Sequence, residues 1–216
     1  MKITREGAFY FIEKAFPKNI ICGFTTKHID YKTEAELFSL LKDKLKIASL
    51  NQQHSTCIHY VDDEGLYKGD GLFTKKRKLL LIVKTADCLP LYFYDFKKDI
   101  VGIIHLGWRG AKEGILDGLD NYLSEFGIIA GVGLRVCCYR VGKEFLNVNK
   151  FKNFLVERND ELFFDSIRFV KENLKIDGSS KRCFYDVGIC SFCNDNFYSW
   201  RREKTEKRTF SFIYKL

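Results

Sequence analysis

Residues 78–110, KLLLIVKTADCLPLYFYDFKKDIVGIIHLGWRG, contain three apolar runs joined by short polar segments. The runs are rich in β-branched and aromatic residues, a pattern that predicts three strands, Leu79–Val83, Leu91–Tyr94 and Ile100–Ile104. Cys88 lies between the first two runs, and His105 directly follows the third. A thiol and an imidazole carried to the ends of neighbouring strands indicate a reactive or metal-binding centre.

Outside this stretch the chain alternates strand-like runs with helical periodicity. Strands are predicted at Phe9–Ile12, Ile20–Phe24, Thr56–Val61, within 131–141, at Arg182–Asp186 and at Thr209–Tyr214. Helices are predicted from a Thr33 cap along the stripe Leu37, Leu40, Leu41 and Leu45, and at Ala111–Phe126, Lys143–Arg158 and Ser166–Leu174. The chain of 216 residues has two prolines and no repeat or linker, which predicts a single α/β domain over residues 1–216.

The compartment can be predicted from hydropathy and cysteine content. No apolar stretch approaches the ~20 residues that a membrane helix needs, and the N-terminal residues MKITREGAFYFIEK lack a signal-peptide core. We therefore expect a cytoplasmic protein without a membrane partner. Eight cysteines could form a disulfide scaffold, but such scaffolds are usually short secreted chains. We expect reduced thiols, of which one or two are functional.

The net charge of +8, from 36 basic and 28 acidic residues, raises the question of a nucleic-acid partner. Neutralisation of phosphates by lysine and arginine would be one reason for such a charge. Here, however, the lysines are scattered among acidic residues and are not interleaved with aromatic side chains. We expect a solvated surface and no nucleic-acid binding, with room for a small-anion site. The oligomeric state, monomer or homodimer, stays open.

His54, Cys88 and His105 form the first candidate constellation. Their spacings are far too long for a zinc finger, but each residue lies at a predicted strand end or in an adjoining loop. Two imidazoles and one thiolate can bind a catalytic zinc that keeps its fourth position for water, and such an ion lowers the pKa of that water to about 7. The alternative is a buried cysteine with two histidines in ordinary hydrogen bonds.

Charged residues near these positions are further candidates. Asp70, between two glycines, and Asp87, beside Cys88, could act as acid–base groups or orient the imidazoles, although both also suit ordinary turns. Arg109 precedes a helix predicted to begin near Ala111, where a guanidinium and backbone amides could bind an anion. Arg201 and Arg202 form a second cluster able to hold phosphate or carboxylate, or simply a charged surface.

Two cysteine pairs near the C-terminal half are harder to interpret. Cys190-x-x-Cys193 could be half of a zinc ribbon or a redox pair, but the chain has no second CxxC motif, which argues against a four-cysteine zinc site. The adjacent Cys137 and Cys138 would form a strained disulfide. We expect them to line the core or a pocket.

Several motifs together resemble those of a known family. Thr85–Pro90 (TADCLP) and His105–Gly110 (HLGWRG) resemble the TADC-x-P and H-x-GWRG signatures of the multicopper-polyphenol-oxidase-like family, also called the laccase-domain or YfiH/YlmD family. Similar matches are Gln52–His54 to Q-V-H, Asp70–Leu72 to an aspartate before the central strand, Cys138–Gly142 to CCYEVG, and 188–202 to CT…FSYRR. The resemblance extends from about Cys22 to Arg208.

The resemblance implies a fold, a metal centre and an activity. Members are described as purine nucleoside phosphorylases with adenosine deaminase activity, and their fold implies one compact α/β domain with mixed β-sheets flanked by helices. By the same resemblance His54, Cys88 and His105 would be the ligands of one zinc ion, for which copper could compete. The substrates would be phosphate and adenosine, inosine or methylthioadenosine.

Roles within the site follow from this expectation. Arg109, or the pair Arg201 and Arg202, would hold phosphate against the ribose C1′, where positive charge develops as the bond to the base breaks. Trp108 or Tyr139 could stack on the purine, and Asp70 or Asp87 could carry the proton in deamination. The sequence departs from the family at Lys27, 133–136, Arg140 and Ser55. We expect these departures to affect substrate preference more than the metal centre.

Two other enzyme classes use the same residues. In a metal-independent cysteine hydrolase acting on an amide or cell-wall peptide, Cys88 would be the nucleophile and His105 or His54 the base. A copper-dependent polyphenol oxidase of the laccase type needs four coppers held largely by imidazoles. The chain has four histidines, His28, His54, His59 and His105, enough for one mononuclear site only. A basic protein that binds without catalysis is a third, weaker alternative.

Overall fold

The computed structural model describes residues 1–28, 34–41, 44–176 and 181–216. Its strands are, in chain order, β1 (Lys2–Glu6), β2 (Phe9–Glu13), β3 (Ile20–Thr25), β4 (Lys46–Asn51), β5 (Ile58–Tyr60), β6 (Gly65–Lys68), β7 (Gly71–Thr74), β8 (Leu79–Thr85), β9 (Leu89–Asp95), β10 (Ile100–Leu106), β11 (Phe126–Ala130), β12 (Arg140–Val141), β13 (Leu155–Arg158), β14 (Glu161–Phe164), β15 (Arg182–Asp186) and β16 (Thr209–Lys215). Its helices are α1 (Glu34–Ser39), α2 (Trp108–Glu113), α3 (Ser166–Asn173) and α4 (Trp200–Glu203). Short 3₁₀ helices lie at Leu119–Asn121, Lys143–Asn147 and Lys152–Phe154.

The strands form two large mixed sheets and one small one. The first sheet has the order β1-β2-β3-β16-β8-β4-β6, and the second has the order β15-β11-β9-β10-β7-β5. Each combines antiparallel pairs with parallel pairs, which are β4 with β6 and β8 in the first and β11 with β15 and β5 with β7 in the second. A three-stranded antiparallel sheet, β12-β14-β13, lies outside them. The fold is one α/β domain with mixed sheets, as predicted.

The two large sheets pack face to face through side chains on one face of their central strands. On β8, Leu81 and Val83 join Tyr92 and Ile103 from the second sheet in one buried cluster. Successive strand residues point to opposite faces, so Leu80 and Ile82 of β8 face the other way and pack with residues of α1. The strands are therefore buried on both faces, which is why their sequences are continuous apolar runs rather than alternating ones.

The outer face of the second sheet carries a third cluster, dominated by phenylalanine. Leu91 and Phe93 of β9 pack there against Phe145, Phe151 and Phe164. The ring centroids of Phe151 and Phe164 are 4.8 Å apart, a spacing at which aromatic pairs attract beyond their buried area. This cluster anchors the small sheet and α3 to the central strands.

Most predicted strands are confirmed, and so is the helix α3. The three runs in residues 78–110 form β8, β9 and β10, and the predicted strands near both termini form β2, β3, β15 and β16. The strand predicted at Thr56–Val61 is the shorter β5. Within 131–141 only Arg140–Val141 pairs as a strand, because the preceding residues form turns.

The helix predicted at Ala111–Phe126 is wrong. Helix α2 begins earlier, at Trp108, and ends at Glu113. The next residue, Gly114, has a φ of 95°, in the left-handed region that terminates helices. The apolar residues that suggested a longer helix, Ile115 and Leu119, are buried all the same. Their spacing reflected burial against the second sheet, while Phe126 already belongs to β11.

The helix predicted at Lys143–Arg158 is also wrong. This segment forms two 3₁₀ helices and then β13, which turns back into β14 at Asn159 and Asp160. Both turn residues have positive φ, of 50° and 60°, the geometry of a tight hairpin turn that favours Asn and Asp. That dipeptide was the signal for a hairpin.

Helix α1 is shorter than predicted. It ends at Ser39, and Leu40 is 65% exposed, whereas Leu37 and Phe38 are buried. The proposed cap, Thr33, lies outside the described residues. Among the helices that the structure describes, none is long and apolar enough to cross a bilayer.

Candidate metal centre and cavity

Three of the candidate residues lie close together at one end of neighbouring strands in the second sheet. Strands β9 and β10 are antiparallel, and their register pairs Leu106 with Leu89 and His105 with Pro90. Cys88, directly before β9, therefore lies beside the end of β10. On the other side of β10, Ile104 pairs with Gly71 at the start of β7, which brings Asp70 against His105. Antiparallel pairing thus joins residues that are far apart in sequence.

His54 comes from the other large sheet, in the loop after β4, and Asp70 fixes that loop. The Asp70 carboxylate accepts hydrogen bonds from the backbone N–H groups of Gln53, His54 and Ser55 at 3.2, 3.0 and 2.6 Å. The Ser55 hydroxyl adds another at 2.7 Å. His54 itself has a φ of 56°, a conformation that costs free energy in a non-glycine residue and that these bonds offset.

Asp70 also orients the second imidazole. Its Oδ1 lies 2.8 Å from Nδ1 of His105, and both side chains are buried. A bond at Nδ1 leaves Nε2 of His105 as the ring nitrogen available for a ligand, the usual arrangement of a carboxylate behind a metal-binding histidine. Burial would raise the pKa of Asp70, but its bonds to His105 and Ser55 outweigh burial and lower the pKa to about 2. Asp70 is thus ionised across the physiological range.

The three predicted ligand residues meet. One ligand atom from each of His54, Cys88 and His105 lies within 4.8 Å of the others, and Sγ of Cys88 is 3.9 Å from Nε2 of His54. Tetrahedral zinc with bonds of about 2.3 Å to sulfur and 2.0 Å to nitrogen requires roughly 3.6 Å between such atoms. The donor set, the spacing and the carboxylate behind His105 therefore fit one tetrahedral ion with a fourth position to spare.

Gly107 makes room for this cluster. A Cβ atom built on Gly107 would lie 2.7 Å from Cδ2 of His54 and 3.4 Å from Sγ of Cys88. The first distance is shorter than any ordinary carbon–carbon contact, so a side chain here would displace the imidazole. The glycine of the LGWRG loop is thus required by the close approach of His54 rather than by its backbone angles.

The neighbouring imidazoles also determine the charge of Cys88. Burial disfavours the thiolate, but His105 and His54 outweigh burial and lower the Cys88 pKa to about 6. In the same way Cys88 and Asp70 raise the pKa of His105 to about 9, against the effect of burial. The protein alone therefore favours a thiolate beside an imidazolium, a pair that a cation would convert to thiolate and neutral imidazole.

The cluster opens into a cavity of about 830 Å³. The predicted site residues that line it are His54, Asp87, Cys88, His105, Trp108, Arg109, Tyr139 and Arg201. Its volume lies within the ~300–1,000 Å³ typical of small-molecule sites. Metal donors, cations and aromatic rings therefore share one space, as a site for a charged, ring-containing ligand requires.

Asp87 lies at the cavity wall in an unusual backbone conformation, with a φ of 92°. Its carboxylate accepts hydrogen bonds from the Ser191 hydroxyl at 2.8 Å and from the backbone N–H of Arg201 at 2.7 Å. Unlike Asp70, it is only partly buried and borders the cavity. Of the two predicted carboxylates, Asp87 is the one with access to a bound molecule.

The predicted cations and rings line the cavity as two pairs, Arg109 with Trp108 and Arg201 with Tyr139. Arg109 is in the first turn of α2, because the helix begins at Trp108 rather than near Ala111 as predicted. Its guanidinium carbon is 5.4 Å from the Trp108 ring centroid. That of Arg201 is 5.8 Å from the Tyr139 ring, and Arg201 Nη1 donates to the Cys138 carbonyl at 3.0 Å.

Arg202 does not lie where the phosphate prediction needs it. It is absent from the cavity lining, and its guanidinium donates to the carbonyls of Ser191, Phe192 and Phe197 at 2.9, 2.7 and 2.6 Å. It also pairs with Glu203. Because these partners occupy its donors, Arg202 holds the surrounding loop together and is not available to an anion.

Sequence reasoning missed several cavity residues. Gln52 donates to the Lys84 carbonyl and accepts from its N–H, both at 2.8 Å, which joins the His54 loop to β8. Lys84, Glu206 and Arg208 also line the cavity. Gln52 lies within the Gln52–His54 motif and Arg208 ends the stretch that resembles the family, but no local pattern indicated Lys84 or Glu206.

Comparison with known proteins finds a matching family and several similar sequences. Residues 30–215 match the family described as multi-copper polyphenol oxidoreductase laccase. The chain is 32% identical to a purine nucleoside phosphorylase of Borreliella burgdorferi over 83% of each chain. It is 36% identical to one of Aquifex aeolicus, over 79% of this chain and 84% of that one. A third, from Campylobacter jejuni, is 31% identical over 90% and 91%.

Solved structures share the fold. The crystal structure of the Bacillus licheniformis hypothetical protein YfiH superposes with a TM-score of 0.84 at 22% identity, covering 99% of both chains. YlmD from Geobacillus stearothermophilus superposes with a TM-score of 0.83 at 22% identity, covering 99% of this chain and 98% of that one. At these identities the likeness establishes the architecture alone.

Proposed function

We propose that this chain, which belongs to the family described as multi-copper polyphenol oxidoreductase laccase, is a zinc-dependent enzyme of the purine nucleoside phosphorylase type that also deaminates adenosine. Its relatives at 31–36% identity are named purine nucleoside phosphorylases. The substrates would be phosphate and adenosine, inosine or methylthioadenosine. We place this reaction in the cytoplasm, where the free thiols of all eight cysteines stay reduced.

One observation carries the proposal. His54, Cys88 and His105 bring their ligand atoms within 4.8 Å of one another at a cavity that Arg109, Arg201, Trp108 and Tyr139 also line. A nucleoside with phosphate needs cations for the anion and an aromatic or apolar wall for the base. A zinc ion bound by the three ligands would supply a Lewis acid and a water of lowered pKa at the same place.

In phosphorolysis, a phosphate oxygen forms a bond to C1′ of the ribose while the bond from C1′ to the purine breaks. The electron pair leaves with the base, which must gain a proton, and positive charge develops on the ribose. Arg109 and Arg201, which line the cavity, would hold phosphate, since guanidinium groups bind it through paired hydrogen bonds. Trp108 and Tyr139 would hold the purine plane, so that the reactants meet at a fixed distance.

In deamination, water replaces the amino group at C6 of adenosine and ammonia leaves, so a proton must move from the water to the departing nitrogen. Asp87 borders the cavity, and we assign it this transfer. Asp70 is fully buried and its oxygens already accept from His105, Ser55 and two more backbone groups. We therefore assign Asp70 the positioning of His105 and of the His54 loop.

The decisive assay incubates the purified protein with adenosine or inosine, with and without phosphate. Phosphate-dependent ribose 1-phosphate is expected from both nucleosides, and inosine is expected from adenosine without phosphate. Cys88→Ala should lower both rates by at least about 100-fold, since it removes a ligand and not merely a supporting group. Cys183→Ser, a cysteine on β15 outside the cavity, is the matched control. The proposal would be refuted if the wild-type protein loaded with zinc formed neither ribose 1-phosphate nor inosine.

The phosphate assignment has its own test. Arg201→Met should raise KM for phosphate about 10- to 100-fold, the loss expected for a hydrogen bond to a charged group, with little effect on deamination. Arg168→Met, an exposed arginine on α3, should leave both reactions unchanged. Equal loss of both reactions in Arg201→Met would instead indicate a general disturbance of the wall.

A cysteine hydrolase is the second candidate, because the lowered Cys88 pKa and the His105–Asp70 contact also suit a nucleophile, base and orienting carboxylate. Metal analysis separates the two. About one zinc per chain that is lost in Cys88→Ala supports the metalloenzyme. A protein without that metal, which loses amidase activity when Cys88 is alkylated, supports the hydrolase.

The laccase reaction that the family description names is less well supported. His28 contacts Asn196, and His59 contacts Cys57 and the Lys68 carbonyl. Among the described residues, the potential metal-binding groups are the His54–Cys88–His105 cluster and a set of four cysteines. Neither provides the imidazole-rich ligands of a multinuclear copper cluster.

A further inference from the structure

The second group of thiols lies outside the cavity lining. Cys137 and Cys138 lie in a turn after β11, and Cys190 and Cys193 lie in the loop after β15. Their four sulfur atoms all lie within 4.8 Å of one another. The sequence argued against a four-cysteine site because it has no second CxxC motif. The fold instead supplies an adjacent pair and one CxxC pair.

We propose that Cys137, Cys138, Cys190 and Cys193 bind a second, structural zinc ion. Tetrahedral coordination with bonds of about 2.3 Å requires sulfur–sulfur distances of roughly 3.8 Å. Sγ of Cys193 is 3.8 Å from Sγ of Cys137 and 3.1 Å from Sγ of Cys138. Ordering around an ion therefore needs shifts below about 1 Å, and four sulfur ligands leave no position for water.

The backbone around Cys190 is arranged to stabilise a thiolate. The Cys190 sulfur accepts hydrogen bonds from the backbone amides of Cys193, Arg135 and Phe192. The loop closes with a hydrogen bond from the Asn194 N–H to the Cys190 carbonyl at 3.1 Å. Amides directed at the first sulfur of a CxxC turn favour metal binding, because metals take the ionised thiolate.

The sulfur atoms of Cys137, Cys138 and Cys193 lie within 4.8 Å of one another and of Cys190. Four neighbouring thiols cannot all ionise, because the charges repel. A divalent soft cation removes that obstacle, and tetrahedral sulfur coordination favours zinc among the common metals.

The proposed site lies beside the part of the cavity wall that contains Tyr139 and Arg201, and an ion there would stabilise this wall. Tyr139 directly follows Cys138, whose carbonyl accepts from Arg201 at 3.0 Å. Beside Cys190, the Ser191 hydroxyl donates to Asp87 at 2.8 Å. The ion would thus join two loops that are remote in sequence and hold them against the first centre. This role needs no assumption about the reaction that the cavity catalyses.

Metal content tests the proposal directly. Protein purified from zinc-supplemented cells without chelators should contain about two zinc ions per chain by mass spectrometry, given the two donor sets. Cys193→Ser and Cys88→Ala should each lose about one ion, and the double variant should lose both. Cys183→Ser should keep both. Unchanged zinc in Cys193→Ser would overturn the proposal, whether or not nucleosides are turned over.

Spectroscopy covers the case in which Cys193→Ser fails to fold. Cys88→Ala lacks the sulfur ligand of the first centre, so the strong sulfur-to-metal charge-transfer bands of cobalt substituted into it should be those of a tetrathiolate. Titration of denatured wild-type protein should find all eight cysteines as thiols. Two thiols fewer, which would indicate a disulfide, or bound iron in place of zinc, would overturn the proposal.

Discussion

The two cysteine-containing centres use the same side chain in opposite surroundings. At the first, imidazoles and a buried carboxylate lower the Cys88 pKa to about 6, and the cluster opens into the cavity. At the second, burial and neighbouring sulfur atoms raise the Cys137 pKa to about 11, and four thiols enclose the centre. Mixed ligands with an open side suit catalysis, whereas four sulfurs without one suit structure. The two centres thus differ in the type of their ligands and in whether one side is open to the cavity.

The largest expected difference between them is in thiol reactivity. In metal-free protein at pH 7, iodoacetamide should alkylate Cys88 roughly 30- to 100-fold faster than Cys137. The thiolate fraction of Cys88 is far higher, and the lower intrinsic nucleophilicity of a low-pKa thiolate offsets only part of this. Peptide mass spectrometry of timed samples measures both rates.

The pH dependence has a definite sign. Because the Cys88 pKa is lowered, its alkylation rate should rise between pH 5 and 7, with a midpoint near 6, and not near the ~8.5 of an ordinary thiol. Zinc added before iodoacetamide should protect it. Equal rates at Cys88 and Cys137 across this range would contradict the contrast between the centres.

Asp70→Asn should weaken the first centre and spare the second. An amide cannot accept from His105 and the His54 loop as a carboxylate does, and loss of such a supporting group typically lowers metal affinity 10- to 100-fold. Competition with a chromophoric chelator measures this, with Asp63→Asn, an exposed aspartate paired with Lys46, as control. If zinc is released equally readily from both centres of Asp70→Asn, the carboxylate does not act selectively on the first.

The smallest effect is expected from a single methyl group. Gly107→Ala places a Cβ 2.7 Å from Cδ2 of His54, so the imidazole must move, and we expect about tenfold weaker zinc binding at the first centre. Gly118→Ala is the matched control, because its added Cβ would contact only Asn121, at 3.8 Å. Crystals of Gly107→Ala with His54 unmoved would show that this loop is less tightly packed than its contacts imply.

Much of the first centre was predictable from sequence, and much of the second was not. His54, Cys88 and His105 were identified through their motifs, and the structure brings them together. The four cysteines carried too little local signal, because no pattern along the chain shows that the loop after β11 meets the loop after β15. That contact depends on the pairing of Gly133 with Cys190.

Errors in the fold have the same origin. The apolar spacing of Ala111–Phe126 suggested a helix, but Gly114 terminates α2, and the apolar residues that follow it, such as Ile115 and Leu123, are buried outside an α-helix. Arg202 looked equivalent to Arg201 in sequence, yet its guanidinium donates hydrogen bonds to three loop carbonyls. In both cases the residue type indicated burial or charge correctly, and only its tertiary partners decided what that burial or charge does.

The sequence by itself determined the central strands, because continuous β-branched and aromatic runs can be buried only on both faces of a sheet. It also determined that Cys88 and His105 stand at the ends of those strands. Only the tertiary structure decided that Asp70 is a fixed anion behind His105, and that two pairs of cysteines share one centre. Those outcomes depend on distances between strand ends and loops, which side-chain chemistry along the chain does not specify.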